Sequence, residues 1–97
     1  MTPAVLHVLL SLADGERHGY GIKLDVEERT DGAIRLGPGT LYEAIHRLEK
    51  SGWIEETNHD ERRKFYRLTR AGRRHLEKEL NRLNEIIRFA RSKALLR

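Results

Sequence analysis

The sequence predicts a mainly α-helical fold with one small β-hairpin. Three observations carry this. Apolar residues recur at helical spacing in four separate segments, firm turn signals divide those segments, and residues 53–68 hold two strand-like runs around a polar turn. Ninety-seven residues are room for one domain.

Thr2-Pro3 opens the first helix, with a hydroxyl before a proline at the first helical position. Val5, Leu6, Leu9, Leu10 and Leu12 give its apolar face, and Asp14-Gly15 ends it. His18-Gly19-Tyr20-Gly21-Ile22 begins a second helix running to about Arg29, with Ile22, Leu24 and Val26 as apolar positions. The two glycines there are poor helix formers and suggest a helix start or close backbone packing. Thr30-Asp31-Gly32 is a turn, and Ile34-Arg35-Leu36 alternates like a short single strand. After Gly37-Pro38-Gly39, residues 40–50 form a third helix with Leu41, Ile45 and Leu48 as its buried stripe. Ser51-Gly52 closes it.

Trp53 to Thr57 and Arg62 to Leu68 read as two strands joined by a turn at Asn58-His59-Asp60-Glu61. Thr69 caps a final helix from Arg70 to near the end, about 28 residues or roughly 40 Å long. Leu76, Leu80, Leu83, Ile87, Ala90 and Ala94 form a heptad-like seam along it. Three helices followed by a hairpin are the winged variant of the helix-turn-helix arrangement. Residues 1–69 are expected to form this domain and residues 70–97 a dimerisation helix.

Charge is uneven. Residues 1–69 carry ten Lys/Arg against twelve Asp/Glu, whereas residues 70–97 carry nine against three. Arg62, Arg63, Lys64 and Arg67 add a second basic cluster in the hairpin. Clustered cations suit a polyanion, because phosphate neutralisation is local. The third helix is the candidate reader: with its apolar stripe buried, Gly39, Thr40, Glu43, His46, Arg47 and Lys50 are free to face a major groove about 12 Å wide. The same polar face also fits an ordinary surface helix, and the hairpin cations also fit a charge-protected sheet edge. Reader and hairpin in sequence favour double-stranded DNA. The seam of Leu76, Leu80, Leu83 and Ile87 is too long for the small core to cover, which favours a homodimer.

Other classes are disfavoured. The chain has no cysteine, so disulfides, thiolate metal sites and thiol catalysis are excluded. The five histidines are scattered, without the i, i+4 spacing of a helical zinc site. Glu27-Glu28 and Glu55-Glu56 are consecutive and do not converge like a catalytic dyad. No Walker-type loop and no nucleophile with a nearby base is present, so neither an enzyme nor a cofactor is expected. No run approaches the roughly 20 apolar residues of a membrane span, and no export signal is seen, so a cytoplasmic location is expected.

Three motifs in order resemble the PadR family of transcriptional regulators: His18-Gly19-Tyr20-Gly21-Ile22; Gly39-Thr40-Leu41-Tyr42 with Leu48-Glu49 and Gly52-Trp53-Ile54; and Tyr66-Arg67-Leu68-Thr69-Arg70-Ala71-Gly72. The resemblance covers about Leu6 to Leu83. It implies a winged helix-turn-helix domain, a C-terminal dimerisation helix and repression through a palindromic operator. It also implies a small-molecule effector of unknown identity, since some members respond to phenolic or multidrug-like compounds. By the resemblance Thr40 and Tyr42 touch DNA, Gly39 allows close backbone approach, Arg62, Arg63 and Lys64 contact phosphate or the minor groove, and Tyr20 packs the second helix on the reader. The chain departs from the family pattern at Gly21, at Glu43, where many members have proline, and at Asp60-Glu61, where many have glycine. The alternative function is a winged-helix interaction module without sequence-specific DNA binding.

Overall fold

The computed structural model describes residues 1–57 and 62–97, so the expected turn at Asn58–Glu61 lies outside the described residues. Among the described residues, four helices and a three-stranded sheet follow in the order α1 (Pro3–Ser11), β1 (Arg17–His18), α2 (Gly19–Arg29), α3 (Pro38–Lys50), β2 (Ile54–Thr57), β3 (Phe65–Leu68) and α4 (Arg70–Ser92). The sheet is antiparallel with β3 in the middle, between β1 and β2. Mainly helical content with this sheet is the winged helix-turn-helix fold expected from the sequence.

Local chemistry explains most boundaries. Thr2 Oγ1 accepts the Val5 N–H at 3.2 Å, and Pro3 occupies the first helical position of α1. Gly37 precedes α3, and Pro38 starts it. Gly52, with φ of +76°, ends α3 in the left-handed region, while the Trp53 N–H reaches back to the Leu48 carbonyl at 3.0 Å. Thr69 caps α4 by accepting the Gly72 N–H at 3.0 Å.

The core lies between the three short helices, the sheet and the first two turns of α4. Val8, Leu9, Leu12, Ile22, Val26, Leu36, Leu41, Ile45, Leu48, Ile54, Tyr66 and Leu76 are buried in it. The structure departs from the sequence expectation at three places. Ile34-Arg35-Leu36 is not a strand: the Thr30 hydroxyl takes up the Ile34 N–H at 3.1 Å, and Leu36 anchors the connection in the core. The sheet edge is filled instead by Arg17 and His18, which pair with Tyr66 and Phe65. Leu24 is 45% exposed, because only the Ile22–Val26 face of α2 meets the core. Leu76 is 3% exposed within its own chain, so it belongs to this core and not to a partner seam.

Beyond Leu76, α4 leaves the domain and stretches the molecule to 52 × 28 × 21 Å. At 23 residues it is about 34 Å long, shorter than expected. Ala94, read as part of the seam, lies past the helix with φ of +58°, and the Leu95 N–H closes the end on the Ala90 carbonyl at 3.0 Å. Leu80, Ile86, Ile87 and Phe89 are exposed along the projecting part. No helix among the described residues is long and apolar enough to cross a membrane.

The start of α4 is locked onto the end of α3. Thr69 donates its N–H to the Trp53 carbonyl at 3.0 Å and its hydroxyl to the Gly52 carbonyl at 2.6 Å. One residue matters most: a Cβ at Gly72 would overlap the Trp53 carbonyl. Gly72→Ala is therefore expected to lower unfolding free energy by about 2 kcal/mol or more in urea titrations, despite the better helix propensity of alanine.

On the other side of the domain, Arg29 on α2 donates to the His7 carbonyl on α1 at 3.1 Å. Burial, then the Arg29 charge, holds the His7 imidazole below its ordinary 6.5. The unfolded chain therefore takes up this proton at higher pH than the folded chain does. His7 contributes no pH-dependent loss above 6.5, and stability falls as pH drops below that value. Urea midpoints at about pH 7.5 and about pH 5 should differ less in His7→Gln than in the unaltered protein.

Candidate nucleic-acid interface

The amphipathic pattern of α3 sets its orientation. Leu41, Ala44, Ile45 and Leu48 are buried, which turns Gly39, Glu43, His46 and Lys50 outward along one line at i, i+4, i+7 and i+11. Thr40 and Arg47 lie on one flank of that line and Tyr42 on the other, all exposed. A Cβ at Gly39 would meet nothing within 4 Å, so the fold itself does not require glycine there.

The Tyr42 flank faces the sheet. His18, Gly19, Tyr20, Tyr42, Arg62, Arg63, Lys64 and Tyr66 surround a concavity of about 290 Å³, with three cations and no carboxylate among these lining residues. Tyr42 is 53% exposed, yet its ring lies across Gly19: a Cβ on Gly19 would stand 2.9 Å from the Tyr42 hydroxyl oxygen. This close approach seats α3 on the first turn of α2. Tyr20, expected from the resemblance to make that contact, is instead 60% exposed at the rim, and Gly19 makes it.

His18 ties the same region together. Its Nδ1 accepts the Gly21 N–H at 2.9 Å and so caps α2. Its Nε2 stands 3.0 Å from Arg63 Nη1, and its ring meets Phe65 edge-on at 5.4 Å. One side chain thus joins the start of α2 to the β3 ribbon. In the sequence His18 stands out only as part of the His18-Gly19-Tyr20-Gly21-Ile22 motif. The available signal was its place immediately before the weak helix start, where a side-chain acceptor is needed. Below it, Tyr66 is buried and its phenol is pushed up to about 12, first by burial and then by Glu49, Glu56 and Tyr42. It therefore keeps its proton throughout the neutral range.

Arg62, Arg63 and Lys64 are all exposed on the approach to β3. Arg67 differs from them, because it reaches across the ladder to Glu55 at 2.7 Å. Arg47 lies away from the Tyr42 concavity, on a groove of about 780 Å³ lined also by Val5, Trp53, His75 and Arg82. Trp53 and His75 stack there with ring centroids 4.3 Å apart. Leu80 and Ile87 are part-exposed on α4 and Leu83 is half-buried, whereas Leu76 is taken up by the core.

Residues 5–78 match the model of the transcriptional regulator PadR-like family. The chain belongs to this family. It is 40% identical over 86 residues to the transcriptional regulator Rv3488 of Mycobacterium tuberculosis, covering 86% of this chain and 78% of that protein. It is also 42% identical over 76 residues to an uncharacterised 37.1 kDa protein in transposon Tn4556 of Streptomyces fradiae; that match takes in 78% of this chain but spans only 21% of the longer protein. Among solved structures, a transcriptional regulator from Clostridium thermocellum superposes with a TM-score of 0.80 at 27% identity, covering 92% of this chain and 87% of that one. Bacillus subtilis PadR, in a complex with operator DNA, shares the fold with a TM-score of 0.71 at 24% identity, over 78% of this chain and 45% of that one.

The contact between Gly19 and Tyr42 gives a direct test of how α3 is seated. Gly19→Ala should displace the Tyr42 ring, seen as a changed near-ultraviolet circular dichroism signal, while far-ultraviolet helix content is retained. An unchanged tyrosine signal would mean that the ring does not rest on Gly19.

Proposed function

We propose that this PadR-like regulator binds double-stranded DNA as a homodimer, with α3 in the major groove and the β2–β3 ribbon against the backbone. The observation that carries this reading is the outward line of α3 beside a concavity whose described lining residues include Arg62, Arg63 and Lys64 and no carboxylate. Helix and cations face the same side, so one duplex can engage both. The open space around Gly39 supports close approach of an external backbone at the start of α3. Bacillus subtilis PadR, a structural neighbour solved with operator DNA, supports DNA as the partner.

In this reading Thr40, Tyr42, Glu43, His46 and Lys50 face the groove, with Arg47 on its flank. Leu80, Leu83 and Ile87 on the projecting α4 form the contact between two copies. Residues 70–97 thereby serve as the dimerisation helix of a domain made by residues 1–69, whose core the first turns of α4 complete. A two-fold dimer matches a palindromic operator with half-sites about one helical turn apart or a small multiple of it. The regulator acts as a repressor in the cytoplasm and is open to a small-molecule effector.

The test is fluorescence anisotropy with duplex DNA from immediately upstream of this protein's own gene, against scrambled duplex, at two salt concentrations. Binding at least about a thousandfold tighter to the upstream duplex, with a steep salt slope, is expected. Tyr42→Ala and Lys50→Ala should each weaken it. Equal, weak binding to both duplexes would favour an interaction module instead. Separately, Leu80→Glu with Leu83→Glu should sediment as a monomer with unchanged helix content; a persisting dimer would place the contact elsewhere.

A further inference from the structure

Glu43 stands in the middle of the outward line of α3, between Gly39 and His46. It is exposed, and among the described residues no hydrogen bond or ion pair engages it. His46 and Arg47 follow at i+3 and i+4, where a surface carboxylate commonly finds a cation, yet neither is paired with it. Its neighbour on the same helix, Glu49, lies to the side and is half-buried near Tyr66. Glu43 is thus an unneutralised carboxylate on the centre of a face that meets a polyanion. Against phosphate it is only repulsive, so a favourable contact with DNA requires a hydrogen-bond donor within the groove.

Major-groove base edges offer two such donors, the N4 amino group of cytosine and the N6 amino group of adenine. An ionised carboxylate only accepts. Adenine sets the N7 acceptor beside its N6 amino group, which repels a second carboxylate oxygen. Cytosine sets a C–H there. Guanine and thymine present acceptors, O6 with N7 and O4, and repel the carboxylate outright. We infer that Glu43 is a specificity-determining residue that accepts a hydrogen bond from the N4 amino group of cytosine in each half-site. It rejects duplexes with guanine or thymine at that place, and it weakens binding to DNA of unrelated sequence. The inference rests on the DNA-binding reading above.

The experiment is selection from a randomised duplex library, using the full chain and its Glu43→Gln and Glu43→Ala variants. Anisotropy on single-base variants of the selected site follows. The unaltered protein should select cytosine at one position per half-site, with substitution there weakening binding roughly tenfold or more. Glu43→Gln should move that preference to adenine, whose N6 and N7 suit a carboxamide. Glu43→Ala should lose the preference while binding scrambled duplex more tightly than the unaltered protein. The exposed position leaves folding unaffected, which circular dichroism checks. If all three proteins select the same base at every position, Glu43 does not read DNA, although the regulator reading stands. If the unaltered protein enriches no sequence, the regulator reading fails and this assignment fails with it.

Discussion

The structure depends on the join between the end of α3 and the start of α4. Thr69 binds the carbonyls of Gly52 and Trp53 and caps its own helix with the same hydroxyl. Gly72 then lets α4 press against the Trp53 carbonyl with no room for a side chain. This fixes the angle at which α4 leaves, brings Leu76 into the core and sends Leu80 onward into solvent. The same join closes the sheet, because β2 begins at Ile54, immediately after the carbonyls that Thr69 holds. The end of α3, the start of β2 and the exit of α4 are therefore tied together at this join.

A second constraint acts on the opposite side of α3. Gly19 admits the Tyr42 ring, and His18 joins α2 to Arg63 on the ribbon. Residues far apart in the chain become one cationic, tyrosine-rich surface. Helix α3 is held by apolar packing on one side and by an aromatic side chain that is itself half free on the other. Tyr42 is therefore both part of the scaffold and part of the exposed face.

Much of this was legible in the sequence. The stripe of Leu41, Ile45 and Leu48 set the outward face of α3 without further information, because a period of 3.6 residues assigns faces as soon as the helix is granted. Thr2, Gly52 and Thr69 marked their helix ends through hydrogen bonds that span only three to five residues. The strand at Arg17–His18 was not legible: two residues carry no periodicity, and they pair only because β3 offers a free edge. Ile34–Leu36 alternates as a strand should, but no free edge reaches it. Leu76 fitted the seam by spacing as well as Leu80 did, since spacing along one helix cannot tell where the domain surface ends.

The sequence by itself determined the order of elements, the helix caps, the buried stripe of α3 and the concentration of cations in the ribbon and the last helix. These follow from propensities and patterns within a turn or two of chain. Only the tertiary structure decided that Gly19 serves Tyr42, that Gly72 serves Trp53, that His18 meets Arg63, and that the seam changes from core to surface after Leu76. The first three join residues brought together by folding, 45 positions apart for His18 and Arg63. The last depends on how far the rest of the domain reaches along α4. Local chemistry carries no record of either.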